Sequence, residues 1–125
     1  MNEKTSLLKF YKYSEYVRIT FLNLGSQLSL EETARELSSL ADAFVQICID
    51  ISHKNIVENE KNNIPQTLNF AVCGLGKLGG EELNYSSDID LIYLYDLPSE
   101  DIASDNIEEI KEHYTKLSLL ITKLL

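Results

Sequence analysis

The sequence predicts an α+β fold: a helical lead-in, then two strands separated by a short helix, then a final helix, with the sheet left incomplete. Three observations lead there. Apolar residues recur at helical spacing through residues 5–24, through 29–55 and again from about Asn106. Two short apolar runs, residues 68–73 and 89–95, are bounded by Pro65, Gly74 and the Ser86-Ser87 pair. Two strands alone seldom make a stable sheet, so further strands are expected to belong to sequence outside this chain.

The elements follow in order. Leu7, Phe10, Ser14, Val17, Phe21 and Leu24 share one helical spacing, and Gly25-Ser26 ends that helix. Ser29 caps the second helix, and Glu32 three residues on completes a capping box. Its stripe of Leu37, Ala41, Phe44 and Cys48 carries no group able to bind phosphate and is expected to face other helices. Residues 58–66 are polar, contain Asn62, Asn63 and Pro65, and read as a linker. Leu68 to Cys73 reads as a buried strand, and Leu78 to Asn84 has room for two turns of helix. In the second strand Ile89, Leu91, Tyr93 and Tyr95 fall on one face, with Asp88, Asp90, Ile92 and Leu94 on the other. An acidic loop with Pro98 then leads to a helix bearing Ile107, Ile110, Tyr114, Leu117, Ile121 and Leu124. That helix reaches Leu125 with no glycine cap, so Leu117, Ile121 and Leu124 are expected to lack their natural cover and the chain to be prone to association. The reading divides the chain into a helical lead-in, residues 1–62, and a partial catalytic domain, residues 67–125.

At 125 residues there is room for one domain at most. The formal net charge is −9, and the first thirty residues are net basic, with Lys4, Lys9, Lys12 and Arg18 against Glu3 and Glu15, while every later quarter of the chain is net negative. No basic stripe suits a nucleic-acid duplex. No apolar run approaches the roughly 18 residues of a membrane span, and no signal core opens the chain. Cys48 and Cys73 lack metal-ligand spacing and read as buried, reduced thiols, consistent with a cytoplasmic location. His53 and His113 are isolated and read as surface residues of helices.

The chemistry is concentrated in residues 74–90. Gly74, Gly76, Gly79 and Gly80 form a glycine-rich turn that carries Lys77. Glycines let backbone N–H groups approach phosphate oxygens closely. Asp88 and Asp90, two apart on a strand, project to the same side roughly 6–7 Å apart along it. Paired carboxylates suit hard cations such as Mg²⁺, which takes oxygen ligands and borrows some from substrate phosphates. Gly76 and Lys77, with Ser87 beside the aspartates, would position the phosphates. A phosphate cradle followed by a metal pair is equipment for moving a nucleotidyl group.

A dinucleotide-binding fold is the rival, because Gly74-Leu75-Gly76-Lys77-Leu78-Gly79 satisfies G-x-G-x-x-G and Asp96 falls about 20 residues on. The intervening segment is too short for a comfortable parallel crossover. Asp88 and Asp90 would also lie in a strand that parallel sheets bury on both faces. Exposed strand-end carboxylates with no metal role are the plainer alternative for Asp88 and Asp90, and a solvated turn lysine for Lys77. Glu81 and Glu82 read as exposed helix residues.

Gly76-Lys77, ten intervening residues, then Asp88-Ile89-Asp90 resembles the core signature of the polymerase-beta-like nucleotidyltransferase superfamily. More narrowly, GLGKLGGEELNYSSDIDLIYLYD, residues 74–96, is similar to the motif of the glutamine synthetase adenylyltransferases. The segments Glu15-Tyr16-Val17-Arg18-Ile19 and Glu32 to Ala43 resemble what precedes the motif in that family, so the likeness covers roughly residues 10–96.

The resemblance implies the start of a polymerase-beta-like domain in an enzyme with two homologous halves. One half adds AMP to a tyrosine of glutamine synthetase, and the other removes it by phosphorolysis. Asn84 and the Asp88-Ile89-Asp90 form look more like the AMP-removing half. The implied cofactors are Mg²⁺ and ATP, or ADP and phosphate in the removal direction. The implied partners are glutamine synthetase as protein substrate and a PII-type nitrogen signal protein. Family members continue into a further strand with a third acidic residue and an arginine-rich segment, and neither follows Tyr114. The chain is therefore expected to be a fragment of one half and inactive alone. The reading of a different class is a non-catalytic remnant or interaction module of the same fold.

Overall fold

The computed structural model describes residues 2–59, 69–97 and 104–125. The elements are α1 (Asn2–Leu24), α2 (Leu30–Asn59), β1 (Phe70–Leu75), α3 (Gly76–Gly79), β2 (Asp90–Tyr95) and α4 (Ser104–Leu124). Strands β1 and β2 pair antiparallel in a sheet of two strands among the described residues. The α+β class and the order of elements are as the sequence predicts. The antiparallel pairing removes the dinucleotide-binding rival, whose strands run parallel. Position 68 and most of the linker at 58–66 and of the acidic loop lie outside the described residues.

The helix boundaries have local causes. At the start of α2 the Ser29 N–H donates to Glu32 Oε2 at 2.7 Å, and the Glu32 N–H donates to Ser29 Oγ at 3.2 Å. The capping box thus satisfies two donors that a helix start leaves free. The Ser29 backbone N–H first, and then the Ser29 hydroxyl, hold the Glu32 carboxyl below the usual carboxylate range. Helix α1 stops in a Schellman motif: the Gln27 N–H reaches Leu22 O at 2.9 Å and the Ser26 N–H reaches Asn23 O at 3.0 Å. Ser26, with φ +55°, takes the left-handed position that the sequence offered to the neighbouring Gly25.

The chain forms two compact units, Met1–Phe44 with Gly74–Leu91, and Val45–Cys73 with Ile92–Leu125. Both draw on the lead-in and on the segment that follows it. The core of the first unit is Ile19, Leu37, Leu78 and Leu83, flanked by Tyr16, Leu40, Ala41, Ile89 and Leu91. Leu37 and Ala41 of the α2 stripe therefore pack as expected. The α1 stripe does not. Leu7, Phe10, Val17, Phe21 and Leu24 are all exposed, and α1 buries Ile19 instead. Ile19 lies on the opposite side of the helix from that stripe, and periodicity alone does not say which side meets a neighbour.

The second unit is organised around α4. Cys48, Ile56, Ile110, Tyr114, Leu117 and Ile121 are buried together, with Phe70, Tyr93 and Leu124 packed against them. Leu117 and Ile121 are thus covered within this unit, contrary to the expectation of an uncovered stripe. Tyr114 stacks on Phe70 (centroids 5.6 Å) and on Tyr95 (4.6 Å), adding specific aromatic geometry to area burial. The Tyr93 hydroxyl lies 2.9 Å from Thr122 Oγ1, tying the strand to the helix.

Three further expectations are corrected. Cys48 is buried, but Cys73 is exposed. Strand alternation explains this: Phe70 and Val72 turn inward in β1, and Ala71 and Cys73 turn outward. For the same reason β1 is half-buried and not a fully buried strand. His53 is exposed as read, whereas His113 is half-buried with Nδ1 lacking a hydrogen-bond partner among the described residues. The helix read over 78–84 is only the single turn Gly76–Gly79.

Candidate functional site

The site lies wholly within the first unit. Strand β1 ends at Leu75 in extended backbone, and the chain then turns at Gly76 with φ +54°, a conformation that L side chains rarely adopt. A Cβ on Gly76 would sit 3.3 Å from Asp90 Oδ2, so the aspartate carboxylate lies directly against this glycine. At Gly79 a Cβ would meet the Gly74 carbonyl oxygen at 2.6 Å, a separation real structures do not allow. The turn is closed by backbone approach at Gly79, and Leu78 projects from it into the core beside Ile19 and Leu37.

The turn stops at once because its carbonyls are satisfied. The Glu82 N–H donates to Lys77 O at 2.8 Å and the Glu81 N–H to Leu78 O at 3.1 Å, a second Schellman motif, with Glu81 left-handed at φ +56°. The Gly80 N–H is taken by Gly76 O at 3.0 Å, and a Cβ on Gly80 would make only ordinary contacts. Gly80 therefore supplies neither a free N–H nor a required gap, whereas Gly76 by its φ and Gly79 by its contact are positions that require glycine. Lys77 is exposed on the turn.

Residues 83–88 bring the chain back to the aspartates. Leu83 is buried, and its N–H reaches the Oγ of buried Ser38 on α2 at 3.4 Å, while that hydroxyl donates to Ala34 O at 2.8 Å. Asn84 Oδ1 accepts both the N–H and the hydroxyl of Ser86, each at 3.0 Å. The Asn84 N–H donates to Ser87 Oγ, and the Ser87 N–H to Asn84 O, each at 3.1 Å. Ser87 thus braces the turn that aims Asp88. Asn84 and Ser38 hold this loop together, and the sequence reading gave neither a structural part. The Asn-x-Ser spacing of an Asx turn was the available signal for Asn84.

Asp88 and Asp90 are both exposed. Among the described residues no ion pair engages either carboxylate: Arg18 is held by Glu15 at 2.7 Å and Glu36 at 2.8 Å, and Arg35 acts on Glu32. Their donors are hard carboxylate oxygens, which fit Mg²⁺ as part of a coordination shell. Among the described residues no group of three or more His, Cys, Asp or Glu is placed to hold a metal. The pair would need further oxygens from substrate phosphates, water or other residues. Beside the turn, a cleft of about 580 Å³ runs between α2 and residues 80–85, lined by Thr33, Arg35, Glu81 and Tyr85 among others. Tyr85 meets Tyr16 edge to face, at 6.1 Å between centroids. Among the described residues no helix is long and apolar enough to cross a membrane.

Residues 2–125 match the family model described as glutamate-ammonia ligase adenylyltransferase. A bifunctional glutamine synthetase adenylyltransferase/adenylyl-removing enzyme of Burkholderia mallei is 40% identical over 94 residues, 75% of this chain and 10% of that protein. Proteins of the same name from Pseudomonas aeruginosa and Nitrosomonas eutropha are 33% identical over 124 residues and 30% identical over 112 residues. Those alignments take in 94% and 90% of this chain, and 12% and 11% of the respective relatives. The chain spans about a tenth of the length of the curated relatives it matches. With its family model covering nearly every residue, the chain belongs to the glutamate-ammonia ligase adenylyltransferase family.

Proposed function

We propose that this chain forms part of a nucleotidyl-transfer site that adds AMP to, or removes it from, a tyrosine of glutamine synthetase. The observation that carries the reading is the seating of the Asp90 carboxylate against Gly76, at the turn bearing Lys77, in a member of this family. Asp88 and Asp90 would hold Mg²⁺, which when bound would supply positive charge to offset the negative charge on the α-phosphate oxygens and the leaving group. Gly76 makes the turn that seats the Asp90 carboxylate at the start of the phosphate-binding segment, and Lys77 offers a mobile cation to the phosphate chain. The Asn84–Ser87 turn fixes where Asp88 begins, so the carboxylates are held before substrate arrives. In the addition direction the tyrosine oxygen displaces pyrophosphate from ATP. In the removal direction inorganic phosphate displaces the tyrosine and leaves as ADP. Asn84 and the Asp88-Ile89-Asp90 form favour removal. A cytoplasmic location and regulation by a PII-type nitrogen signal protein belong to the same proposal.

The test is a chimera in which this chain replaces the matching segment of the Pseudomonas aeruginosa relative. Phosphate-dependent release of ADP from adenylylated glutamine synthetase is the expected activity. It should fall at least about a hundredfold on Asp90→Asn, the scale of losing a group that acts only in the transition state. Release that is undiminished by both Asp88→Asn and Asp90→Asn would remove the assigned role.

A further inference from the structure

The cleft beside the glycine turn belongs wholly to the first unit, between the start of α2 and residues 80–85. At about 580 Å³ it falls within the size range of small-ligand sites, roughly 300–1,000 Å³. Asn23 and Asn84 both line it, and each amide is half engaged and half open. Asn23 Nδ2 donates to Thr33 Oγ1 at 2.9 Å and to Leu28 O at 3.4 Å, whereas its Oδ1 accepts nothing among the described residues. Asn84 is the converse. Its Oδ1 accepts the N–H and the hydroxyl of Ser86, and its Nδ2 donates to nothing among the described residues. The cleft thus offers an open acceptor and an open donor. Tyr85 adds an exposed aromatic ring, held edge to face by Tyr16, and Leu37 an apolar wall. Among the lining side chains Glu31, Glu81 and Glu82 outnumber Arg35.

We propose that this cleft is the nucleoside end of the substrate site and takes the adenine and ribose of the adenylyl group, an inference that rests on the nucleotidyl-transfer reading above. Tyr85 supplies a face on which a purine ring stacks, and its contact with Tyr16 sets the angle of that face before the base arrives. Adenine carries an amino donor beside a ring-nitrogen acceptor. That pair is the complement of Asn23 Oδ1 and Asn84 Nδ2. Ribose hydroxyls donate to carboxylates, as they do to the acidic residue of dinucleotide sites, and Glu81 and Glu82 are the carboxylates on the wall nearest the turn. The same negative charge repels phosphate, so the phosphate chain stays outside the cleft, toward Lys77 and the aspartates. Asn84 joins the two ends: Oδ1 holds the turn that aims Asp88, and Nδ2 is left to meet the base. A basic peptide would suit the carboxylates, but it would leave the donor–acceptor pair and the ring unused.

Adenosine titrated into the full 125-residue chain and followed by amide NMR tests this without phosphate or cation. Signals of Asn23, Asn84 and Tyr85 are expected to shift together and to saturate. Tyr85→Ala should weaken binding at least about tenfold, the scale of one lost base stack, while Tyr85→Phe keeps it. Asn84→Asp retains the oxygen that Ser86 bonds but loses the donor, and should weaken adenosine roughly two- to tenfold, the scale of one hydrogen bond. Purine riboside, which lacks the amino group, should bind wild type more weakly than adenosine by a similar factor. Adenosine that shifts no signal in the cleft overturns the proposal. So does equal binding to wild type and Tyr85→Ala, or tetralysine that shifts the cleft signals where adenosine does not. Each of these results counts against the nucleoside site alone, because the roles of Asp88 and Asp90 are tested separately by ADP release.

Discussion

The carboxylate of Asp90 rests against Gly76, with Oδ2 3.3 Å from where a Cβ would be, and Gly76 itself sits at φ +54°. The first residue of β2 and the residue that follows β1 are thereby locked into one another's space. Gly76→Ala is expected to cost about 1–2 kcal/mol from the left-handed backbone alone, and to push the Asp90 carboxylate aside. Gly79→Ala, whose Cβ would meet the Gly74 carbonyl, should cost about 1–3 kcal/mol by forcing a backbone shift. Gly80→Ala meets neither obstacle and should fall within about 0.5 kcal/mol of wild type. Urea denaturation of the three variants checks the ranking, and a Gly80 variant as unstable as the Gly79 one would contradict the turn geometry.

Ser26 and Glu81 hold left-handed positions at two Schellman closures, where glycine carries no penalty. Ser26→Gly and Glu81→Gly are each expected to raise stability by roughly 0.5–1 kcal/mol, the relieved backbone strain less the added freedom of the unfolded chain. Thermal melts compare them with wild type. A lower Tm for both substitutions would mean that these side chains contribute contacts outweighing the strain.

His113 gives the second unit an acid limit. Burial chiefly, and then the charge of nearby His53, push its imidazole below the ordinary value, and Nδ1 is buried without a hydrogen-bond partner among the described residues. The folded state therefore prefers the neutral ring. Stability from this group is fully present above the unfolded value of about 6.5, and is lost as pH falls through that value toward the lower folded one. The denaturation midpoint should decline as pH drops below about 6.5, and His113→Phe should flatten that limb. An unchanged slope in the variant would assign the acid sensitivity to other groups.

Much of this arrangement was legible in the residues. Ser29 and Glu32 announced the start of α2, and Leu37, Ala41 and Cys48 its buried side. Ile110, Tyr114, Leu117 and Ile121 gave the packed face of α4, although their cover was not foreseen. It comes from Cys48, Ile56 and Phe70, residues distant in sequence. The failure at α1 has the same physical root. A stripe of spacing 3.5 marks a surface that wants a helix, yet the contact made inside the unit runs through Ile19 on the other side. Cys73 followed strand alternation outward, and the apolar run of residues 68–73 did not show that one face of the strand meets solvent. At the site, the glycines and aspartates stood out by type. Their support did not, because Ser38, Asn84 and Ser87 act through hydrogen bonds that exist only when the loop is folded.

The central claim is that the glycine turn and the two aspartates make one cation-dependent phosphate site. Paramagnetic broadening by Mn²⁺, standing in for Mg²⁺ with ATP present, measures this on the chain itself by amide NMR. The account predicts that signals of Gly76, Lys77, Asp88 and Asp90 are lost first, that Asp90→Asn abolishes the effect, and that ATP strengthens it. Broadening centred elsewhere, or left unchanged by both Asp88→Asn and Asp90→Asn, would contradict the account.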